Sequence, residues 1–267
     1  MTDSLVVAAS LVGRSRIGSI ARYTLLEARR NRFLLTAGIV IVLMVALSLF
    51  VRQLAITEST RIQLIFLSAG SRVAMVFIVC IYVLQGLLRD FQDKVLDLLL
   101  SFDMARSSYI LGKFTGHLAL GAICAGIAAI PLFFFADPAS VAAWACSLAF
   151  ELWIVSAAAI FCITAFSQLL PAAGVVLGFY LLARSVAAIQ LMSHSTLSAP
   201  GGETGVVSLL ADSLALLLPR LDTFTQTAWL IDAPGISVSA GSMFLQTLVF
   251  VALLLCAAMF DLHRRNF

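Results

Sequence analysis

Charged residues are scarce in this chain of 267 residues: only 12% are Asp, Glu, Lys or Arg, whereas 61% are hydrophobic. A soluble domain contains about 25% charged and roughly 45–50% apolar residues. The chain therefore has too few charges to cover a soluble particle of its size, which excludes an ordinary cytosolic enzyme, a disordered chain and a nucleic-acid-binding protein. The net charge is only +3, so the basic residues matter by position. This composition indicates a polytopic membrane protein.

The residue patterns of metal, disulfide and intramembrane catalytic sites are missing as well. The five cysteines lie in apolar runs without a C-x-x-C spacing, which predicts buried thiols and no disulfide framework. His117, His194 and His263 are far apart and lack ligand-spaced partners, so no metal site is predicted. An intramembrane enzyme is disfavoured, because H-E-x-x-H is absent and Glu151 is the only acidic residue deep in an apolar run.

Six apolar runs are long enough, or nearly so, to cross a bilayer, for which about 20 helical residues are needed. In lipid each backbone amide must bond within its own segment, so these runs predict an all-α membrane protein. The predicted spans cover residues 33–50, a second run that starts between 64 and 73 and ends at 88, and then 114–135, 141–166, 172–191 and 238–260. Residues 1–32 precede a single six-span domain, 33–267.

Lysine and arginine are distributed unevenly around these spans. Twelve of them fall before the first span, between the second and third spans, and after the sixth, against three or four on the opposite side. Basic residues accumulate on the cytoplasmic side of membrane proteins. The chain is therefore predicted to cross the membrane six times with both termini in the cytoplasm.

The segment before the first span, residues 16–32, has an amphipathic pattern. Its apolar residues recur at helical spacing and form one stripe, made of Ile17, Ile20, Ala21, Leu25 and Ala28. Arg22, Arg29 and Arg30 lie largely off that stripe. Such a helix lies in the interface, with the stripe in the acyl region and the arginines at the headgroups. The segment is predicted to be an elbow that positions the first span; the alternative is a solvated basic flank without a mechanical role.

The loop between the second and third spans, residues 89–113, is too polar to cross the membrane and too regular to be slack. Its pattern predicts two short helices separated by a break at residues 101–106. They would present an apolar ridge edged with charge at the cytoplasmic surface. This composition suits contact with a cytosolic partner, because interfaces are apolar at the centre and polar at the rim.

Glu151 and Arg184 are the ionisable residues deepest in the predicted spans. Each costs roughly 2.5–3.5 kcal/mol there on insertion scales, so each needs a partner or a wet cavity. Their depths below the outer face agree, at about 15 Å and about 12 Å, and consecutive spans are usually neighbours. We expect them to pair. The pair either locks two spans together or lines a substrate path or dimer seam; the third alternative is that they do not pair.

The long extracytoplasmic stretch, residues 192–237, carries short apolar segments. Residues 206–218 are too few to span, so they are expected to lie on or dip into the outer leaflet. Residues 221–231 continue with Trp229, which suits the membrane interface. These segments either cap the outer end of a pathway or serve as an amphipathic anchor.

The order of these features resembles the permease subunits of ABC-2 type ATP-binding-cassette transporters. The shared features are the basic elbow, a charged patch that closes the second span, a leucine-rich turn, and a Gly-Lys pair that opens the third span. In this chain they are Arg89, Asp90, Asp93 and Lys94, then Leu98-Leu99-Leu100, Arg106, Ser108-Tyr109 and Gly112-Lys113. The family's glutamate is replaced by Asp90 or Asp93, and its Gly-Thr by Lys94-Val95. Within the class the chain is most similar to small six-span permeases such as that of the nitrous-oxide-reductase maturation system.

The resemblance implies an ABC-2 exporter-type transmembrane domain in a bacterial inner membrane, present as a homodimer among membrane lipids. A phosphate-binding G-x-x-x-x-G-K-[ST] loop is absent, so ATP and magnesium would be bound by two copies of a separate cassette ATPase, and the chain itself is no enzyme. The alternative is an ATPase-coupled scaffold that acts on a periplasmic partner protein without solute passage. The resemblance assigns ATPase coupling to Asp93, Leu96, Asp97, Leu99, Phe102, Arg106, Tyr109 and Lys113.

Overall fold

The computed structural model describes residues 17–54, 58–93, 106–194, 213, 218–231 and 240–264. Helix α1 covers residues 17–30. The helices that follow are α2 (Phe33–Leu54), α3 (Ser59–Gln92), α4 (Arg106–Ala129), α5 (Pro138–Phe166), α6 (Leu169–His194), the short α7 (Ala228–Ile231) and α8 (Ala240–Arg264). Six of these are long and apolar enough to cross a membrane. This confirms the predicted all-helical chain with six candidate spans, as far as the described residues go.

The bounds of all six spans differ from the predicted ones, and the largest differences are in α3 and α4. Helix α3 begins at Ser59, before the predicted start. The prediction placed the start too late because polar residues such as Gln63 lower the hydropathy of the first turns, although Gln63 is buried within the bundle.

Helix α4 begins at Arg106, before the predicted start at residue 114, so the separate short helix predicted ahead of the third span is wrong: these residues are the first turns of α4. Hydropathy excluded them because they include Arg106 and Lys113. Helix α4 changes at Ile130 into a 3-10 turn that ends at Phe134. Pro131 lies at the start of this turn, where its missing N–H cannot continue the α-helical hydrogen bonds.

Helix α5 is the centre of the bundle. It contacts α3, α4, α6 and α8. In its most apolar stretch of 18 residues, 78% of the residues are buried, whereas the corresponding fractions are 17% for α2 and 22% for α8. Its start is fixed by Asp137, whose Oδ2 accepts hydrogen bonds from the N–H groups of Ala139 (3.0 Å) and Ser140 (3.3 Å). The outer faces of α2 and α8 therefore remain open to lipid or to another protein.

Helix α1 packs on the bundle through the stripe that the sequence assigns to the acyl region. Ala28 is 1% exposed and belongs to the core, and Leu25 packs against that core. Tyr23 and Leu26 point away instead, and both are more than half exposed. Arg32, with φ of 53°, ends this helix and turns the chain into α2. The stripe thus has a protein surface to cover, which the sequence pattern alone does not reveal.

The prediction of buried thiols is right for three of the five cysteines. Cys80, Cys124 and Cys162 are buried, and all five are free thiols. Cys146 and Cys256 lie on exposed helix faces, so for them the prediction is wrong. Apolar runs contain lipid-facing positions as well as core positions, and the run alone does not distinguish them.

Candidate functional site

The end of the bundle at which α1, the end of α3 and the start of α4 come together is called the basal end. Charged side chains from these three helices meet there. Lys113 Nζ lies 2.6 Å from Asp90 Oδ2 and 3.4 Å from Glu27 Oε2. Tyr109 donates a hydrogen bond of 2.7 Å to Asp90 Oδ2. Arg89 pairs with Glu27 Oε1. These five residues form the basal network.

The basal network is largely shielded from solvent. Tyr109 and Lys113 are each 3% exposed and Asp90 is 7% exposed. A buried ion requires a partner, and removal of one member of a buried pair typically costs about 3–5 kcal/mol. Because each carboxylate here is matched by a cation or a phenol from another helix, the network joins α1, α3 and α4 at their ends.

Two glycines of α4 let α1 approach closely beside this network. A Cβ atom at Gly112 would lie 2.7 Å from Ile20 Cβ, and one at Gly116 would lie 2.6 Å from Thr24 Cβ. Small residues four positions apart allow two helix backbones to come together in this way. The close approach places Glu27 on α1 within reach of Lys113 on α4.

The residues predicted to contact an ATPase are placed in three ways. Asp93 caps the end of α3 and is exposed. Tyr109 and Lys113 point inward into the basal network, so any part they have in such a contact passes through Asp90 and Glu27. Arg106 begins α4, and its side chain lies outside the described part of the chain. Leu96, Asp97, Leu99 and Phe102 are also outside the described residues.

A second polar cluster lies toward the opposite end, which we call the distal end. Glu151 Oε1 is 3.6 Å from Arg184 Nη1, so the structure brings together the two residues that the sequence analysis paired. Glu151 is fully buried, and the side chain of Arg184 is 22% exposed. Arg184 Nη1 also donates hydrogen bonds to the backbone carbonyls of Leu221 (2.6 Å) and Phe224 (2.9 Å).

Thr225 lies at the centre of this distal cluster. Its hydroxyl donates a 2.6 Å hydrogen bond to Glu151 Oε2, and its N–H donates to Ser147 Oγ at 2.9 Å. Its carbonyl accepts a 3.0 Å hydrogen bond from Arg72 Nη1. Thr225 has a left-handed φ of 44°. Its polar atoms thus bind side chains of both α3 and α5, and the tertiary contacts hold a backbone conformation that threonine rarely adopts.

The chain around Thr225 enters deeply between the helices. Arg72 and Glu151 lie about 20 Å along α3 and α5 from their first residues. Trp229, predicted at the membrane interface, is only 6% exposed and belongs to the core. We call residues 218–231 the distal segment. Of the predicted outer segment 206–218, only residues 213 and 218 are described.

The sequence analysis missed Arg72, Thr225 and Glu27 as site residues. Glu27 and Lys113 are 86 positions apart, and Thr225 and Glu151 are 74 positions apart, so spacing gives no signal. The sequence did carry a signal for Arg72, because this residue is a cation within a long apolar helix.

Both clusters are suited to holding helices together. Among the described residues, no group of three or more His, Cys, Asp or Glu side chains could hold a metal ion. The basal network connects helix ends by ion pairs, and the distal cluster connects a buried segment to three helices. No model of a known protein family and no curated protein matches this chain.

Proposed function

We propose that the chain is the permease subunit of an ATP-driven exporter of the ABC-2 type, moved by a separate pair of cassette ATPases. The observation that carries this proposal is the basal network. It joins the ends of α3 and α4, which flank residues 94–105, to α1. A force applied to residues 94–105 would therefore reach three helices together.

Motion at the basal end has a direct route to the distal end. Helix α4 packs along α5, and α5 carries Ser147 and Glu151, which bind Thr225. Coupling between distant sites is carried by rigid elements and packed side chains that have two arrangements. In our proposal, ATP binding by the motor tilts α4 and α5, and this tilt releases the distal segment from between α3, α5 and α6.

The exposed apolar faces of α2 and α8 are an argument for pairing with a second copy of the chain. Large apolar side chains such as Val42 (67% exposed) and Leu245 (63% exposed) cover these faces. In the proposed assembly two permeases pair through part of this surface, lipid covers the remainder, and both termini are cytoplasmic.

A scaffold that acts on a periplasmic partner is the second candidate function. The distal segment favours it, because this segment occupies the space between α3, α5 and α6 through Arg72, Glu151 and Arg184. The two candidates differ in what stimulates ATP hydrolysis by the complex. An exporter is stimulated by its solute, whereas a scaffold is stimulated by its soluble periplasmic partner.

Co-purification tests the common part of both candidates. A cassette ATPase should follow the tagged chain, and Asp97→Lys and Arg106→Glu should each release it. Arg220→Glu is the matched control, because Arg220 is an exposed cation at the distal end. If both the Asp97→Lys and the Arg106→Glu variant retained the ATPase, the assignment of residues 94–106 as the contact with the ATPase would be contradicted.

A further inference from the structure

A charged groove of about 550 Å³ opens beside the basal network, between α1 and the end of α3. Its lining includes Tyr23, Arg30 and Asn31 from the α1 side, and Arg89 and Asp93 from the α3 side. We call it the basal groove. It combines side chains of both charge signs with an exposed aromatic ring.

The basal groove lies where both of its helices change from polar to apolar. On the α1 side, Arg30, Asn31 and Arg32 are followed at once by the apolar start of α2. On α3, two leucines directly precede Arg89. If the six helices span a bilayer, these two boundaries mark the level of the lipid headgroups. The groove is therefore positioned for a ligand that is polar at one end and apolar at the other.

Most charges around the groove are already neutralised within the protein. Glu27 is paired with Arg89, and Asp90 is paired with Lys113. Two lining charges then remain, the Arg30 guanidinium and the Asp93 carboxylate, and neither forms an ion pair with another residue of the described part of the chain. Counting only partners among the described residues, the groove offers one unpaired cation and one unpaired anion, which are not bonded to each other. This arrangement matches a zwitterion better than a simple anion.

A smaller cavity of about 270 Å³ lies between α2 and α3, next to the basal groove. Asn31 lines both spaces. One wall of the smaller cavity is apolar, with Phe33, Phe77, Ile78 and Ile81, and its remaining lining residues are Thr36, Tyr82 and Gln85. Phe77 is 51% exposed, so this cavity is open along the bundle surface. An acyl chain beneath a bound headgroup would lie against these side chains.

We infer that the basal groove binds an aminophospholipid, with its phosphate at Arg30, its ammonium group at Asp93 and an acyl chain along Phe77 and Ile81. The ammonium of phosphatidylethanolamine can donate hydrogen bonds to a carboxylate, whereas the methylated ammonium of phosphatidylcholine cannot. Phosphatidylglycerol lacks the cation altogether. This inference does not depend on the exporter proposal, because it requires only that the bundle lies in a membrane.

Native mass spectrometry of the purified full chain in detergent tests this inference. Phosphatidylethanolamine, phosphatidylcholine and phosphatidylglycerol are added at equal concentrations with matched acyl chains. We expect phosphatidylethanolamine to bind at least about fivefold more tightly than either competitor, and Asp93→Asn to remove this preference. Arg30→Gln should instead weaken the binding of all three lipids, because all three carry the phosphate. Both side chains are exposed and make no ion pair within the described residues, so the variants should unfold at the temperature of the unaltered protein.

Two controls make the outcome decisive. Arg22→Gln removes another exposed arginine of α1 that does not line the groove, and it should leave the preference unchanged. Soluble glycerophosphoethanolamine supplies the headgroup without acyl chains. If it competed as strongly as the lipid, if Asp93→Asn kept the full preference for phosphatidylethanolamine, or if Arg30→Gln bound all three lipids as tightly as the unaltered protein, the lipid assignment would be overturned.

Discussion

At the scale of single residues, the two clusters differ in how completely their charges are satisfied. Asp90 receives both the ammonium of Lys113 and the hydroxyl of Tyr109. Glu151 has one oxygen bonded to Thr225. Its other oxygen lies 3.6 Å from Arg184 and accepts no hydrogen bond from a described residue. The basal network is therefore expected to contribute more to the free energy of unfolding, and the distal cluster is expected to open at a lower free-energy cost than the basal network.

Lys113→Met tests the stabilising effect of the basal network. The variant keeps an unbranched side chain but leaves Asp90 with only Tyr109 as partner. We expect a loss of about 3–5 kcal/mol in the free energy of unfolding, because a buried carboxylate loses its cation. Thermal unfolding in detergent measures the loss.

The double variant Asp90→Asn with Lys113→Met is the internal control for that prediction. It removes both charges, so it should recover part of the stability that Lys113→Met loses. Equal losses for the single and the double variant would show that packing, and not charge pairing, explains the effect.

At the scale of helices, α1 and α4 illustrate how far patterns in the sequence extend. Helical spacing predicts an amphipathic helix before the first span, and residues 17–30 do form a helix. The same spacing does not say what the apolar stripe covers. That depends on Gly112 and Gly116, nearly a hundred residues later, which are informative only once α1 and α4 lie side by side.

Gly116→Leu tests this close approach. Its side chain would collide with Thr24, whose Cβ lies 2.6 Å from the Cβ position, so α1 should separate from α4. Overpacking of this kind typically costs about 1–3 kcal/mol. Hydrogen exchange of residues 17–30 measures the separation directly.

Gly126→Leu is the matched control on the same helix. Nothing lies within 4 Å of its Cβ position, so it should leave the exchange of residues 17–30 unchanged. Replacement of a helical glycine should also stabilise α4 slightly, by roughly 0.5–1 kcal/mol. Equal exchange in both glycine variants would contradict the docking of α1 through Gly116.

At the scale of the whole molecule, hydropathy predicts the number of spans, and it fails where polar side chains are buried. The six apolar runs correspond to six helices because lipid-facing and core positions are both apolar. Hydropathy did not predict the buried position of the distal segment, because that position depends on hydrogen bonds from several helices together. They involve Arg72, Ser147, Glu151 and Arg184. Such groupings arise only from the packing of distant helices.

Glu151→Gln tests whether the distal cluster closes the bundle. The amide keeps the shape but loses the charge opposite Arg184, so residues 218–231 should exchange hydrogen faster and be cleaved more readily by added protease. Glu58→Gln, at an exposed carboxylate, is the control and should change neither measurement. Unchanged protection of residues 218–231 in Glu151→Gln would contradict this role.

An exchange of the two charges, Glu151→Arg with Arg184→Glu, should not restore the closed bundle. A carboxylate at position 184 would face the carbonyl oxygens of Leu221 and Phe224, which now accept hydrogen bonds from the guanidinium. Hydrogen exchange of the distal segment in the double variant checks this, and full recovery of protection would contradict it.

The distal cluster also has a consequence for biogenesis, because a ribosome makes its members in a fixed order. Arg72 and Glu151 are inserted into the bilayer well before Thr225 leaves the ribosome, and each isolated charge costs roughly 2.5–3.5 kcal/mol on insertion scales. Until the final quarter of the chain is translated, the nascent protein must keep these groups hydrated or sheltered by the insertion machinery.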